Sequence, residues 1–600
     1  MSAQTGIEVR DGPTSGRLRD RVRHRVAGWR DEPNPLWMRE MRQAARVQVT
    51  PIALAVLTVL MTVLLGAIGG IMGETRSSPA DAGQALFQTF FSLAYFVVAL
   101  IGPALGANTI ASEREGHTWE AVLLTGMRPE VVTRGKFLAA YTLIAMYIVM
   151  LAPVGALPFL FGGVTPTEVL FAFVLLFALA LVAVGFGLAV SAKMQSTRGA
   201  LVIALLTAVP LSGFCFSIFG VGGAEFARGT WGDTLSRGPI WLPRAYAVAP
   251  FDLEYLLYLV VVPLVVLGLP AWFLYETSLA NLTSVTEDRS FGLKRWHAVS
   301  SAICALLGLV PLAYLAPHES TAHAFAPAGV GVLAYAIFAA YLFATEPIGA
   351  SRRMERVLEG RSRLRRWFGP GVPNTLSLLR WTTRGAVFVS LSAALLVARV
   401  RSSVSAPAGF PFVVEAACIG LWGFYVLGFT EFVFGLSAWL RARASGGAGV
   451  RPVLLAILFA TLAGPWVIAA ITGLLTSSGS DALIVAAPSP LHVLTHTFEA
   501  VTRGTSAAQR SFAASSISAV TYYVLGLALA RVGRRRCDAI VTEHRALLAD
   551  ADARLAKEDE AAANAAAANA AAANEAAANE NAEAAREPSL GDPRSTDRSA

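Results

Sequence analysis

Charge is what this sequence has least of. Only 15% of its 600 residues are Asp, Glu, Lys or Arg, against 55% hydrophobic residues. A water-soluble domain carries about 25% charged residues, so an ordinary globule is excluded. Cysteine is nearly as scarce: Cys215, Cys304, Cys418 and Cys537 lie far apart, which excludes a disulfide framework and gives no metal-ligand spacing. No phosphate-binding loop is present. The stretch Gly126 to Lys136 ends in Gly-Lys but has Glu where the first glycine is needed and Phe137 where Ser or Thr is needed. Strict two-residue alternation is missing as well, which excludes a membrane β-barrel.

What is present is a series of apolar runs, each long enough to cross a bilayer as a helix, which takes about 20 residues. We read them at 52–72, 85–105, 137–161, 169–190, 200–219 and 255–275, then at 298–315, 329–345, 385–400, 417–440, 453–475 and 512–532. The fold class is all-α, a polytopic helical membrane protein of about 12 spans. The first 33 residues are polar and Arg-rich, so no cleavable leader is expected and 52–72 acts as a retained first span. Arginines concentrate in alternate turns, among them Arg128 and Arg134, Arg289 and Arg295, Arg352 to Arg366, and Arg534 to Arg536. The positive-inside rule then places both termini in the cytoplasm.

Four regions follow. Residues 1–33 form a basic cytoplasmic segment, 34–280 a first transmembrane domain, 281–532 a second transmembrane region of about six spans, and 533–600 a cytoplasmic Ala/Asn/Glu-rich tail. Pentads holding Asn564, Asn569, Asn574 and Asn579 walk around a helix instead of forming a stripe, so the tail is solvated, helical or disordered. Val541, Leu548 and Leu555 fall seven apart, compatible with weak helix pairing. Two registers of internal duplication compete. One matches Ser191–Pro210 with Leu440–Pro465 and the Ala249-Pro250 and Ala487-Pro488 steps. The other matches Asn34 with Asn374. The pattern alone chooses neither.

Two segments carry mechanism. Before the first span, Asn34 can cap a helix with Pro35 at its first position, Trp37 and Met41 on one face, and Arg39 and Arg42 on another. Such a helix lies in the membrane interface. Between the second and third spans, Thr118 can cap a helix of barely two turns that Gly126 ends, and Pro129 with Glu130 starts the next span. Glu113, Arg114, Glu115 and Glu120 crowd around that short helix, either as a solvated connector or as a dock for a cytoplasmic protein.

The order of these parts resembles ABC-2 type permeases, the membrane subunits of one large class of ATP-binding-cassette transporters. The family's Ser-Glu-Arg-Glu-x-x-Thr-x-Glu-x-Leu-Leu pattern, ending in Gly-Lys, is met by Ser112, Glu113, Arg114, Glu115, Thr118, Glu120, Leu123, Leu124, Gly135 and Lys136, with Val122 intervening before the leucine pair. The family's proline near 126–127 is replaced by Gly126-Met127, with Pro129 later. The resemblance covers about 34–280 and shows no second such pattern beyond. It implies a coupling helix near 111–126 that docks a separate ABC ATPase dimer. ATP and Mg are then bound by that partner and this chain holds no cofactor, no metal and no catalytic residue. It further implies an exporter with no activity as an enzyme by itself, in contact with membrane lipid and not with nucleic acid. Either one chain supplies the whole membrane part or two do as a homodimer.

Weaker signals remain. His492, His496 and Glu499 share a helical face, more in keeping with a polar surface than a metal site. Glu431 is an intramembrane polar candidate, placed to line a path or to bond a neighbouring helix. An ion-coupled secondary transporter, or an integral-membrane enzyme, are the alternatives. Of 49 Lys and Arg only Lys136, Lys193, Lys294 and Lys557 are lysine, a bias that suggests a GC-rich bacterial genome and a bacterial cytoplasmic (inner) membrane.

Overall fold

The computed structural model describes residues 34–46, 78–222, 261–309, 321–404, 412–475, 484–493 and 506–584, apart from 285–286 and 361, together with scattered positions between 55 and 70 and position 312. The described residues form helices and no strands. Ten of the helices are long and apolar enough to cross a membrane, which makes this a multi-pass membrane protein. Of the expected first span, 52–72, nine positions between 55 and 70 are described, all of them helical, and the rest lie outside the described residues. The expected seventh falls on a helix of 17 residues, too short as described to count among the ten.

The first unit begins with α1 (Pro35–Arg46) and continues with α2 (Pro79–Glu115), the short α3 (Trp119–Leu124), α4 (Pro129–Phe161), α5 (Pro166–Ser191), α6 (Thr197–Cys215) and α7 (Val262–Leu282). A π-helical stretch, Phe216–Gly222, extends α6. The second unit holds α8 (Phe291–Leu307), α9 (Thr321–Phe343), the short pair α10 (Arg352–Leu358) and α11 (Arg363–Trp367), then α12 (Val372–Val404), α13 (Phe412–Arg443), α14 (Val450–Leu475), a three-residue turn α15 (Pro490–His492) and α16 (Ser506–Ala584).

Helix ends follow local chemistry. Thr165 and Glu168 form a reciprocal capping box at the start of α5, with Pro166 at the first helical position. Ser78, Ser196 and Ser351 accept backbone amides at the starts of α2, α6 and α10. Gly126 stands at φ +68°, a left-handed geometry that ends the chain path of α3.

Each unit has its own core. In the first, Phe87, Phe90 and Phe91 of α2 pack with Ile144 and Ile148 of α4 and Val184 of α5. In the second, the buried middle of α13 contributes Trp422, Tyr425 and Phe429. Small residues let backbones meet, as is common where lipid supplies no drive for association. A Cβ on Gly187 of α5 would overlap the Pro103 carbonyl of α2, and one on Gly435 of α13 would overlap the Gly526 carbonyl of α16.

Several ends differ from the hydropathy reading. The short helix spans only Trp119–Leu124, because residues 111–115 complete the last turns of α2. α12 starts at Val372, well before the apolar run at 385, since its early arginines find a carboxylate on α13. The tail is a direct continuation of α16, whose 79 residues reach about 120 Å at helical rise. From 549 to 579 its side chains are exposed all round, as five-residue spacing requires.

The loops rich in arginine gather at one end of the bundle. There Arg114 donates to the Met194 carbonyl, Arg441 to Glu346, Arg451 to Leu342 and Arg534 to Ser377. This is called the basic end below.

Candidate functional site

Around α3 the expected site residues separate into a buried set and an exposed set. Glu113, in the last turn of α2, is 6% exposed. Its Oε1 lies 2.6 Å from Arg39 Nη2 of α1 and 3.0 Å from Lys136 Nζ of α4. Lys136 is 1% exposed and also donates to the Thr109 carbonyl at 2.9 Å and to Glu40 Oε1 at 3.3 Å. Two acids and two cations from three helices therefore neutralise one another under α3. Breaking such a set by removing one member costs several kcal/mol, since the partner is left charged and dry.

Asn34 completes the frame. Its Oδ1 accepts the Leu36 amide at 3.0 Å, and its Nδ2 donates to the Val131 carbonyl of α4 at 2.9 Å. Gly135 is required there, because a Cβ would come within 2.6 Å of that Oδ1. Pro35 opens α1, Trp37 Nε1 donates to Thr142 Oγ1 at 3.2 Å, and Arg39 reaches inward while Arg42 is exposed. Leu36, which the Asn-Pro reading passed over, is the buried anchor, packed with Val122 and Val132.

Arg114 lies over the Trp119 ring, 5.6 Å from its centroid, and bonds the α5–α6 turn at Met194. Glu115 Oε2 accepts the Thr197 amide at 2.8 Å, so it caps α6. Thr118 precedes α3, where its carbonyl accepts the Val122 amide and its hydroxyl turns back to the Glu113 carbonyl at 3.3 Å. Ser112 bonds within its own helix, to the Asn108 carbonyl. What faces outward is a compact surface of Glu115, Thr118, Glu120 and Leu124, the last 88% exposed. Leu123 lies in α3, with its side chain outside the described positions.

The second unit repeats part of this at the same end. Lys294 of α8, fully buried, lies 2.7 Å from Glu346 beyond α9 and donates to the Gly369 carbonyl at 2.6 Å. Its cover is different. The extension of α16 lies along α10, where Arg545 pairs with Glu355 at 2.7 Å, Arg352 with Asp552 at 3.0 Å, and Val541 packs on Gly349. The Glu355 carboxylate holds the Arg545 guanidinium above its ordinary pKa. The heptad-spaced Val541 and Leu548 are thus half-covered and Leu555 exposed, and the surface they meet belongs to this chain. Sequence reading missed α10 and α11 as helices, although Ser351 and Ser362 sit at cap positions before each.

The two units join through Glu276 of α7, which accepts Trp272 Nε1 at 2.9 Å and Arg295 Nη2 of α8 at 3.0 Å. Beside this joint is a cavity of about 1310 Å³ lined by both units, with Trp37, Arg134, Tyr275, Glu287, Asp288 and Arg353 in its wall. Burial pushes the Asp288 carboxyl above its usual range. Glu431 is 2% exposed and held by Arg380 and Arg384 of α12. Among the described residues no His, Cys, Asp and Glu cluster could hold a metal. His492 bonds Ser511 at 3.0 Å, while His496 and Glu499 lie outside the described residues.

No curated protein matches the chain. Residues 71–232, which include α2 to α6 with the exposed helix α3, match the family model for ABC-2 family transporter proteins, so over that stretch the chain is similar to this family.

Proposed function

We propose that this chain is the membrane subunit of an ATP-driven exporter in a bacterial cytoplasmic membrane, with the basic end in the cytoplasm and the exposed face of α3 docking a separate ABC ATPase. The observation that carries the reading is the division of labour around α3. Glu113, Lys136 and Arg39 tie its start to the spans, while Glu120 and Leu124 stay exposed to meet a partner. A helix held rigidly from behind can pass a push from a partner to α2 and α4. An apolar leucine amid carboxylates, displayed on so short a helix, suits a partner groove with a basic rim.

Among the described residues both units hold a short helical connector followed by three spans and then a final span, α3 to α7 in the first and α10 to α14 with α16 in the second. The α5–α6 and α13–α14 pairs both have a proline inside the second helix, Pro210 and Pro465. This favours the register in which 191–210 matches 440–465, and it supports one chain supplying both halves of the membrane part. Substrate entry is placed in the cleft of Trp37, Tyr275 and Arg353, which both units line. The ion-coupled alternative is weakened by Glu431, whose carboxylate is engaged by Arg380 and Arg384 of the neighbouring helix.

The test is co-purification of the tagged chain with ATPase subunits from its native membrane. The reading expects one permease chain with two ATPase subunits by native mass, and loss of the ATPase from Glu120→Lys with Leu124→Asp. A folded double variant that keeps its ATPase, or a wild-type chain that never retains one, refutes it.

A further inference from the structure

Arg380 and Arg384 lie one turn apart on α12, about 12 and 18 Å along the helix from Val372. Both therefore stand in the first half of α12, toward the basic end. Both arginines face Glu431. Arg380 Nε is 2.7 Å from its Oε2, and Arg384 Nη2 is 2.5 Å from its Oε1. Two guanidiniums thus share one carboxylate, and Arg534 of α16 adds a third cation to the surroundings of Arg380. The Nη2 of Arg380 is buried without a hydrogen-bond partner. Arg380 Nε and Glu431 Oε2, though close, make no well-directed hydrogen bond either. A buried donor left unmade costs about 1–3 kcal/mol, more when charged, and with two guanidiniums on one carboxylate the cluster is short of negative charge.

The surplus opens sideways. Trp381 and Phe388 of α12 are 58% and 70% exposed, and the Arg384 side chain, 37% exposed, lies between them on the same stripe. On a spanning helix that stripe faces lipid. Trp367 of α11 stacks on Trp381 with centroids 6.1 Å apart, setting two indoles at the interface level where tryptophan is enriched. Phosphate acceptors at Arg384 and Arg380, with acyl chains along Phe388 and Leu396, complete both the polar and the apolar requirement. The corresponding cluster of the first unit is different, because Glu40 and Glu113 balance Arg39 and Lys136.

We infer that the α11–α12 face around Arg380, Arg384 and Trp381 is a binding site for one anionic phospholipid of the leaflet at the basic end. The lipid phosphate supplies the second anion that Glu431 alone does not.

Native mass spectrometry of the purified full chain, in micelles doped with phosphatidylglycerol or with phosphatidylcholine of the same acyl chains, tests this directly. Wild type should retain one phosphatidylglycerol about tenfold over phosphatidylcholine, a factor worth 1.4 kcal/mol. Arg384→Gln should lose that preference, and Trp381→Ala should weaken it several-fold. Because Arg384→Gln could fail to fold, Glu431→Gln gives a second reading of opposite sign. With the protein anion gone, phosphatidylglycerol should restore the lost melting temperature and phosphatidylcholine should not. Soluble glycerol 3-phosphate should not displace the lipid. Equal retention of the two lipids by wild type, an unchanged preference in folded Arg384→Gln, equal melting of Glu431→Gln in both lipids, or displacement by glycerol 3-phosphate each overturns the assignment.

Discussion

At the basic end the two units use the same parts to different effect. In the first, a short helix lies over a charge-balanced buried cluster and shows its outer face to solvent. In the second, the short helices α10 and α11 sit over a buried Lys294–Glu346 pair, but the long arm of α16 already lies on α10 through Arg545, Asp552 and Val541. The first surface is free and the second is partly taken by the chain itself. Similar short helices over buried ion pairs can therefore differ in whether their outer face stays exposed.

The largest effect should come from the buried pairs. Glu346→Ala leaves Lys294 with the Gly369 carbonyl and no paired carboxylate among the described residues and should cost about 3–5 kcal/mol, whereas Glu113→Ala leaves Lys136 with Glu40 and should cost less. Melting of both variants in one detergent ranks them, and the reverse order would mean that the two clusters are not alike. Overpacking comes next. Gly435→Leu and Gly187→Leu should each lose about 1–3 kcal/mol, because each side chain meets a backbone carbonyl that cannot move aside. A neutral result at either position would show that its helices are not in close contact.

Smaller in stability, but decisive for the comparison, is the surface itself. Leu124→Ala should leave melting unchanged yet weaken ATPase retention about tenfold, as for an exposed anchor residue. Arg356→Glu on α10 should change retention less while the arm of α16 remains. Ending the chain after Arg536 should raise the sensitivity of retention to Arg356→Glu. Smallest of all, Arg545→Ala should not move the melting point but should speed hydrogen exchange in 352–358, since exposed ion pairs position more than they stabilise.

Much of the fold was legible because a spanning helix is announced by its own residues: each needs an apolar run, and lipid forbids other backbone forms. The short helix α3 was legible through Gly126 and Pro129 for the same local reason. Which of its charges point outward was not. Glu113 and Glu120 look equivalent in the chain, yet the first is buried against Arg39, 74 residues away, and the second is exposed. Glu431 could be picked out as a costly acid in a span, but not its partners 47 and 51 positions earlier, which stand just before the apolar run at 385. The tail misled in another way. Its heptad spacing suggested a separate partner, and the face it meets is α10 of the same chain.

The sequence by itself determined the environment, the helical class and the short helix between spans, because each depends on composition or on neighbours within a few turns. Only the tertiary structure decided which charges neutralise one another, which of two similar surfaces stays open, and where two arginines share one carboxylate. Those outcomes depend on which helices meet. A buried charge takes its character from partners that chain distance does not reveal.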